Sequence, residues 1–538
     1  MKSFKIKISN NKVHLSENMI AHISKSDRKI ICKDFDYIDS DESNAELVAK
    51  LFNLHGEKIF ESFEDPFFFF IYNALNGDGL IVRDHVGFNS IYYAQDKNNL
   101  FLSSSISGIK ELFGENLKIN IRVLKDFLEM NPFSDKETFF KEIKKVPPAH
   151  YLKFSSNKLL IKPYRKFRNF KISDNEEDQV KGLNKLLKKS IIRKEESLDN
   201  NIGFLFSGGL DSSTIVSFFN KFKKKNQKIF TYTAQFHHID DSLKRLIDEK
   251  DFQKEILKNS TINHTDFETK DLSTLSNLDL YLRLIGQPFF FPHLYLIDEA
   301  FRLASSDGVK KVFSGADGDT VISHGFEYLV QLFLKLRWIK LFFEISKTSK
   351  IMKKSKKFIF KRAVIGQIFY NKKIYFSARK QHKAVLSAPI HANALEIESL
   401  IADFYGITQV HPFYNINLIN YCTSVRPDLK IKGYPRYILR EAVKGVVPEK
   451  NRKRLDKSNL GHGLVYSFLN KDRDFIESQI SNPHHIVKDL IDVRNIKKYW
   501  RDILKNPRRH STSSNVPSLI FSYVVANRWL QNNYNKKS

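Results

Sequence analysis

Short apolar runs dominate the first third of the chain. EDPFFFFIYNAL, GLIVRDH, SIYYAQD and NLFLSSS follow one another, separated by Gly, Asn and Asp. Runs of that length between turn residues predict an antiparallel sheet with tight connections over residues 1 to about 165, with Phe67 to Phe70 as a buried strand. A Pro-Pro pair and one more strand, in VPPAHYLKF (146–154), close it. The polar stretch from about 165 to 178 reads as a linker. Beyond it the period changes. Residues 177–198 have helical spacing, NIGFLFS is a strand, SSTIVSFFNKF a helix and KIFTYTAQF another strand. The charged stretch from Asp241 to Asn259 is expected to be helical, residues 295–308 a helix and VKKVFSG a strand. Strands alternating with helices predict βαβ units around a parallel sheet. From about 326 onward the pattern is mostly helical, and no internal repeat is visible.

A chain of 538 residues with 42% hydrophobic and 13% aromatic content can fill two or three domains. The formal charge of +28 changes the picture more. It fits a polyanionic partner, whether nucleic acid, membrane surface or acidic substrate, and it equally fits a general bias toward surface lysine. Residues 352–383 hold a dense run: Lys353, Lys354, Lys356, Lys357, Lys361, Arg362, Lys372, Lys373, Arg379 and Lys380, with Phe and Tyr interleaved. That run suits a grip on an anionic strand, although a solvated helical excursion is the simpler expectation. Cys32 and Cys422, the two cysteines, supply neither a disulfide framework nor zinc spacing. A reducing, cytoplasmic location is expected. MKSFKIKISNNKVH has no apolar core of signal-peptide length. Tyr328 to Ile345 is interrupted by Lys335, Arg337 and Lys340, so an amphipathic or buried helix is expected there rather than a membrane span.

The chemistry concentrates in FLFSGGLDSST, residues 204–214. A strand that ends in S-G-G-x-D-S and opens a helix makes a phosphate-binding turn. Glycines let the backbone approach an anion, and the helix N-terminus offers unpaired N–H groups and a positive dipole end. Ser207, Ser212 and Ser213 add hydroxyl donors. Asp211 beside a phosphate calls for a divalent cation, so the residue types point to pyrophosphate with Mg2+. A plain glycine turn capped by Asp211 and Ser212 is the alternative. The string is not the G-x-x-x-x-G-K-[ST] loop. It looks like the pyrophosphatase-type loop of enzymes that cleave ATP between the α and β phosphates, adenylate a carbonyl oxygen and let a nitrogen displace AMP.

The chain resembles the glutamine-dependent asparagine synthetase family over nearly its whole length. LIVRDHVGFNSIYYA (80–94), LFLSSSISGIKEL (100–112) and FKEIKKVPPAHYLKF (140–154) look like its amidotransferase segments. FLFSGGLDSSTIVS, TYTAQF, QPFFFPHLY, VFSGADGDT, HPFYNINLINY and YILREAVKGVVPEKNRKRLDKSNLG look like its synthetase segments. The resemblance implies an Ntn-hydrolase-like α+β sandwich over 1–165. It also implies an α/β pyrophosphatase-loop domain, adenine nucleotide α-hydrolase-like, over 176–538 with a helical C-terminal part.

Residue by residue, the resemblance assigns Ser207, Gly208, Gly209, Asp211 and Ser212 to the ATP phosphates and Ala234 to the adenine. Ser314 and Gly315 open a second nucleotide-facing loop, and Asp211 with Asp319 holds Mg2+. Lys457 faces the adenylate, where a cation stabilises developing charge, and Asp317 is a further acid at the centre. Asp317 and Asp319 as turn acids, Lys457 as a surface lysine, and Arg440 as a helix anchor are the structural alternatives. His324 suits either proton transfer or a structural role. Three departures matter. The family's nucleophilic cysteine follows the initiator Met, where this chain has Lys2 and Ser3, so a silent glutaminase is expected. The family's S-G-E-G-x-D-E loop reads Ser314-Gly315-Ala316-Asp317-Gly318-Asp319-Thr320. Its Asp-Glu-Pro segment reads Gly286-Gln287-Pro288. Free aspartate plus ammonia is therefore one expectation. Another is the logic of β-lactam and carbapenam synthetases and lasso-peptide macrocyclases, which close an amide on a metabolite or peptide. The expected partners are a small-molecule or peptide carboxylate and ammonia or an amine, not nucleic acid. A homodimer is one option for the assembly.

Overall fold

A computed structural model describes residues 4–9, 12–15, 21–23, 28–33, 44–73, 76–114, 117–131, 133–155, 158–192, 200–238, 249–258, 261–370, 373–455 and 459–534. Eleven described strands form the first part: β1 (Lys5–Ser9), β2 (Lys12–Leu15), β3 (Ala21–Ile23), β4 (Arg28–Lys33), β5 (Phe68–Asn73), β6 (Gly79–Arg83), β7 (Tyr92–Gln95), β8 (Asn99–Ser103), β9 (Lys144–Lys145), β10 (His150–Ser155) and β11 (Lys158–Pro163). They make two antiparallel sheets, ordered β2-β1-β8-β7-β9 and β11-β10-β6-β5-β4-β3. Phe4, Ile6 and Leu102 of one sheet meet Phe70, Ile81 and Leu152 of the other in a shared core. Phe67, Phe69 and Val82 point to the opposite face, against Val48, Ile59 and Phe60. Because β5 is covered on both faces, its sequence is a continuous apolar run rather than an alternation.

The second part is built on β12 (Asn201–Leu205), β13 (Lys228–Gln235), β14 (Ile262–Glu268), β15 (Lys311–Phe313) and β16 (Thr408–Val410). All four pairings are parallel, in the order β14-β13-β12-β15-β16. The chain steps outward from β12 to β14, then resumes on the other side of β12 at β15. That reversal opens a crevice at the carboxyl ends of β12 and β15, where α/β sheets bind ligands. Helix Leu210–Phe222 covers the sheet there, with Phe219 5.0 Å from Phe204 and 5.6 Å from Phe313 between ring centroids.

Several local expectations shift. The helix expected over 177–198 runs Glu176–Ile192, and 193–198 lie outside the described residues. Of Asp241 to Asn259, the described helix is Lys250–Leu257, with 241–248 and 259 outside the described residues. Tyr328 to Ile345 falls in two helices, Phe326–Leu334 and Trp338–Met352, separated by Leu336 in the left-handed region at φ +56°. Among the described residues, no helix is long and apolar enough to cross a membrane. The polar stretch after residue 165 is not a slack tether. Arg168 N–H donates to Asn420 Oδ1 at 2.8 Å, Phe170 N–H donates to Ser424 Oγ at 2.7 Å, and Lys383 Nζ donates to the Phe167 carbonyl at 2.7 Å.

The two parts also share one apolar cluster. Phe139 and Phe140 stand edge-on to Trp529 of the C-terminal helix Val516–Tyr534, at 6.0 and 5.7 Å. Beside it lies a buried ionic group. Glu396, on helix Pro389–Phe404, accepts from Arg83 at 2.5 Å, Lys145 at 2.9 Å and the Tyr92 hydroxyl at 3.0 Å. The side chains of Arg83, Lys145 and Glu396 are 1%, 5% and 5% exposed.

Candidate functional site

The turn after β12 needs its glycines. Gly208 adopts φ +86°, and a Cβ on it would lie 2.9 Å from Gln253 Cγ. Gly209 is the N-cap of helix Leu210–Phe222 and provides no capping side chain. The hydroxyls fold into the turn: Ser207 Oγ accepts from Gly209 N–H at 3.2 Å, and Ser212 Oγ donates to the Gly209 carbonyl at 3.2 Å. Two neighbours brace it. Gln253 Nε2 donates to the Ser207 carbonyl at 3.0 Å. Asn451 Nδ2 reaches the Gly208 carbonyl at 3.3 Å and Ser213 Oγ at 3.2 Å.

The loop after β15, Ser314 to Gly318, packs directly on this turn. A Cβ on Gly315 would lie 2.8 Å from Ser212 N, and one on Gly318 would lie 2.5 Å from Asp211 Oδ1. Two glycines thus bring two backbones within contact, and Asp211 meets the short helix Gly318–Ile322 that carries Asp319. Arg436 locks the junction. Its guanidinium bonds both oxygens of Asp211, one at 2.8 Å, and it also feels the charge of Asp319. Burial alone would lower its pKa, but Asp211 outweighs that and raises it. Arg436 precedes helix Tyr437–Ala442 in the left-handed region, at φ +63°, rather than lying on that helix.

Asp317 points elsewhere. It is itself left-handed, at φ +55°. Its carboxylate accepts from the Tyr414 hydroxyl and lies 3.1 Å from His391 Nδ1. Burial would raise the Asp317 pKa, but His391 and Tyr414 together hold it below the ordinary value. His391 shows the counterpart: burial lowers its pKa, and Asp317 overcomes this and raises it. Glu398, on the same helix as His391, is buried, with no cation in contact among the described residues. Desolvation lifts its pKa to about 8, and it accepts from Gln409 at 3.2 Å. Tyr414 ties this group to the sandwich, because its carbonyl bonds His85 Nε2 at 2.8 Å.

The remaining expected residues are placed as follows. Ala234 is the next-to-last residue of β13, and Ser314 Oγ accepts from Ala316 N–H at 3.1 Å. His324 stands edge-on to Phe326 at 5.6 Å. Lys457 lies outside the described residues. Arg440 makes structural bonds, to the carbonyls of Pro435 at 3.2 Å and Arg452 at 2.5 Å. Sequence reasoning missed His391, Glu398 and Asn451. Tyr414 lay within the HPFYN segment, but nothing in that string announces its partner.

Asp211 and Asp319 are the two carboxylates here that could hold a cation, with Asp211 shared with Arg436. No group of three His, Cys, Asp or Glu suited to a metal occurs among the described residues. Mg2+ fits such a set, since it is usually held by one or two carboxylates together with phosphate oxygens and water. The two glycines let the loop carrying Asp319 approach the Asp211 carboxylate closely, which a Cβ at either position would prevent.

The comparisons follow the same division. The family described as asparagine synthase matches residues 182–531, and the glutamine amidotransferase domain matches residues 35–165. A Methanocaldococcus jannaschii protein named "Putative asparagine synthetase (glutamine-hydrolyzing) 2" is 26% identical over 292 residues, 51% of this chain and 54% of that protein. "Asparagine synthetase (glutamine-hydrolyzing) 1" of Bacillus subtilis is 21% identical over 459 residues, 78% of this chain and 71% of that protein. "Amidase chyE" of Penicillium rubens is 25% identical over 224 residues, 41% of this chain and 32% of that protein. The chain thus spans about half the length of the first of these relatives and about a third of the last. With a family match that takes in well over half of its residues, the chain belongs to the asparagine synthase family.

Proposed function

We propose that this protein is an ATP-dependent, AMP-forming amide ligase. The observation that carries the reading is the junction of the two loops, where Gly315 and Gly318 let Asp211, Asp319 and Arg436 converge at the mouth of the parallel sheet. A substrate carboxylate oxygen attacks the α-phosphorus of ATP, the α–β anhydride bond breaks and pyrophosphate leaves. An amine nitrogen then attacks the acyl carbon, the acyl–oxygen bond breaks and AMP leaves. Ser207, Gly208, Gly209 and Ser212 receive the phosphates, and Ala234, Ser314 and Gly315 flank the nucleotide. Asp211 and Asp319 hold Mg2+, which neutralises phosphate charge when bound. Lys457, by the family resemblance, is assigned to stabilise charge developing on the adenylate. Asp317, engaged by His391 and Tyr414, is the further acid at the centre.

The glutaminase half is read as silent. An N-terminal nucleophile needs a residue with a free α-amino group. Cys32 is internal to β4, opposite Phe69, and Cys422 is buried in helix Ile416–Ser424 with its thiol pushed up to about 12 by desolvation. The nitrogen then comes as ammonia from solution or as a substrate amine. Aspartate remains the generic acyl substrate. A peptide or secondary-metabolite carboxylate is the second reading. It is favoured by Ala316 and Thr320 in the loop and by the engagement of Asp317 with His391 and Tyr414.

The test is AMP and pyrophosphate release from Mg-ATP with aspartate plus ammonium, with aspartate plus glutamine, and with neither. Release with ammonium alone supports asparagine synthesis with a silent glutaminase. Release with glutamine overturns the silent half. Absence of release in every tube refutes asparagine synthesis and leaves the second reading.

A further inference from the structure

Half of the formal charge sits in one short segment. Residues 335–380 hold fifteen Lys and Arg against Glu344 alone, +14 of the chain's +28. The same segment is rich in exposed apolar side chains. Leu336, Trp338, Ile339, Phe342, Phe343, Ile351, Phe358, Phe369 and Phe376 are exposed, with Ile339 at 77% and Phe369 at 84%.

Helix Trp338–Met352 explains why this is unusual. Its inner face is already satisfied: Leu341 and Ile345 are buried with Leu329, Leu332, Ile359 and Val364 in a separate small core. A helix packed on one side turns polar on the other. This one instead presents Trp338 and Phe342, and Ile339 and Phe343, as two i,i+4 pairs facing outward. Lysines frame the pairs. Lys340, Lys347 and Lys350 share the helix, and Lys353, Lys354, Lys356 and Lys357 follow on the next turn and helix. Lys356 Nζ lies 4.5 Å from the Phe342 ring, which brings the start of helix Lys356–Phe360 against the same surface. Among the described residues no Lys or Arg from 335 to 362 lies within ion-pair distance of a carboxylate, although Lys340 feels the charges of Glu344 and Asp428.

We propose that this face docks on an anionic lipid bilayer as a peripheral attachment surface. Apolar side chains enter the boundary between head groups and acyl chains, while lysine ammonium groups meet lipid phosphates and carboxylates. Aliphatic Leu336, Ile339 and Ile351 lie among the rings, and base stacking has no use for them. A lipid surface takes aliphatic and aromatic groups alike. Charge complementarity names the anionic leaflet, and the exposed apolar pairs distinguish it from a polyanion in solution.

The test is co-sedimentation of the full chain with vesicles of phosphatidylcholine alone or with about a third phosphatidylserine, at low and high salt. Binding to the anionic vesicles alone, weakened by salt, is expected. Ile339→Ser/Phe342→Ser/Phe343→Ser should lower partitioning at least about 100-fold, with melting temperature unchanged. A second variant, Gln at Lys353, Lys354, Lys356 and Lys357, should lower it by a similar factor. Failure to bind anionic vesicles at low salt overturns the proposal, as does vesicle binding that both variants retain. Retention of an RNA homopolymer without vesicle binding assigns the face to nucleic acid instead. A dimer that the triple variant dissociates, again without vesicle binding, assigns it to a second copy.

Discussion

Replacing Glu396 with Ala tests what fixes the two halves of the protein to each other. Glu396 holds Arg83 at 2.5 Å and Lys145 at 2.9 Å, all three nearly inaccessible to water. At an effective dielectric near 20, each contact carries about 6 kcal/mol of attraction before desolvation is subtracted. Two cations surround one anion, so the losses are unequal. Glu396→Ala leaves two buried positive charges unbalanced and costs about 3–5 kcal/mol. Lys145→Met leaves the Arg83–Glu396 pair balanced and costs about 1 kcal/mol, the scale of the lost hydrogen bonds. For a cooperative unit of roughly 150–250 residues, the first loss lowers Tm by about 6–20 °C and the second by about 2–4 °C. Thermal unfolding followed by calorimetry reads both. Glu396 also shares a helix with His391, so pyrophosphate release should fall in Glu396→Ala more than in Lys145→Met. Equal melting temperatures for the two variants would refute the argument, since they would mean that the charge imbalance does not govern this interface.

The remaining predictions concern the crevice. Gly318→Ala places a methyl 2.5 Å from Asp211 Oδ1 and forces the carboxylate off Arg436, so pyrophosphate release should fall at least about 100-fold. Wild-type turnover in that variant would remove the loop junction from the site. Asp211→Ala and Asp319→Ala should each abolish Mg-dependent release of pyrophosphate, and full activity in either would sink the metal assignment. Lys457→Ala should cut turnover by about 10²–10³ with ATP binding nearly intact, as seen by calorimetric titration. Glu398 has its pKa raised to about 8 in the folded state, so it stabilises the fold fully below its unfolded value and loses that contribution as pH rises through 8. Glu398→Gln should therefore gain on wild type in Tm as pH increases from 5 to 9, and a constant difference would show that Glu398 is not held protonated.

The strand–glycine turn–helix at the proposed site was legible because its signals are local. Ser207 to Ser213 are consecutive, and the need for glycine before a helix N-terminus is written in the string itself. The alternation of strands and helices marked the parallel sheet for the same reason, since each element declares its own period. Other features depend on neighbours. The polar stretch after residue 165 reads as a linker, and only the structure shows its backbone bonded to Asn420 and Ser424, residues some 250 positions away. The apolar run Tyr328 to Ile345 reads as one helix, but Leu336 turns left-handed and two helices pack around their own core.

The sequence by itself therefore determined the glycine turn before the helix, the sheet type and the excess of positive charge, because each depends on residues close together along the chain. Only the tertiary structure decided what those residues face. Asp211 is gripped by Arg436, 225 residues later, and Asp317 turns to His391 and Tyr414. Glu396 binds Arg83 across 313 residues, and the outward pairs on helix Trp338–Met352 stay uncovered because its inner face already fills a core. Charge and apolar area can be counted along a chain, but their energies depend on distance and water access in three dimensions, which the order of residues does not state.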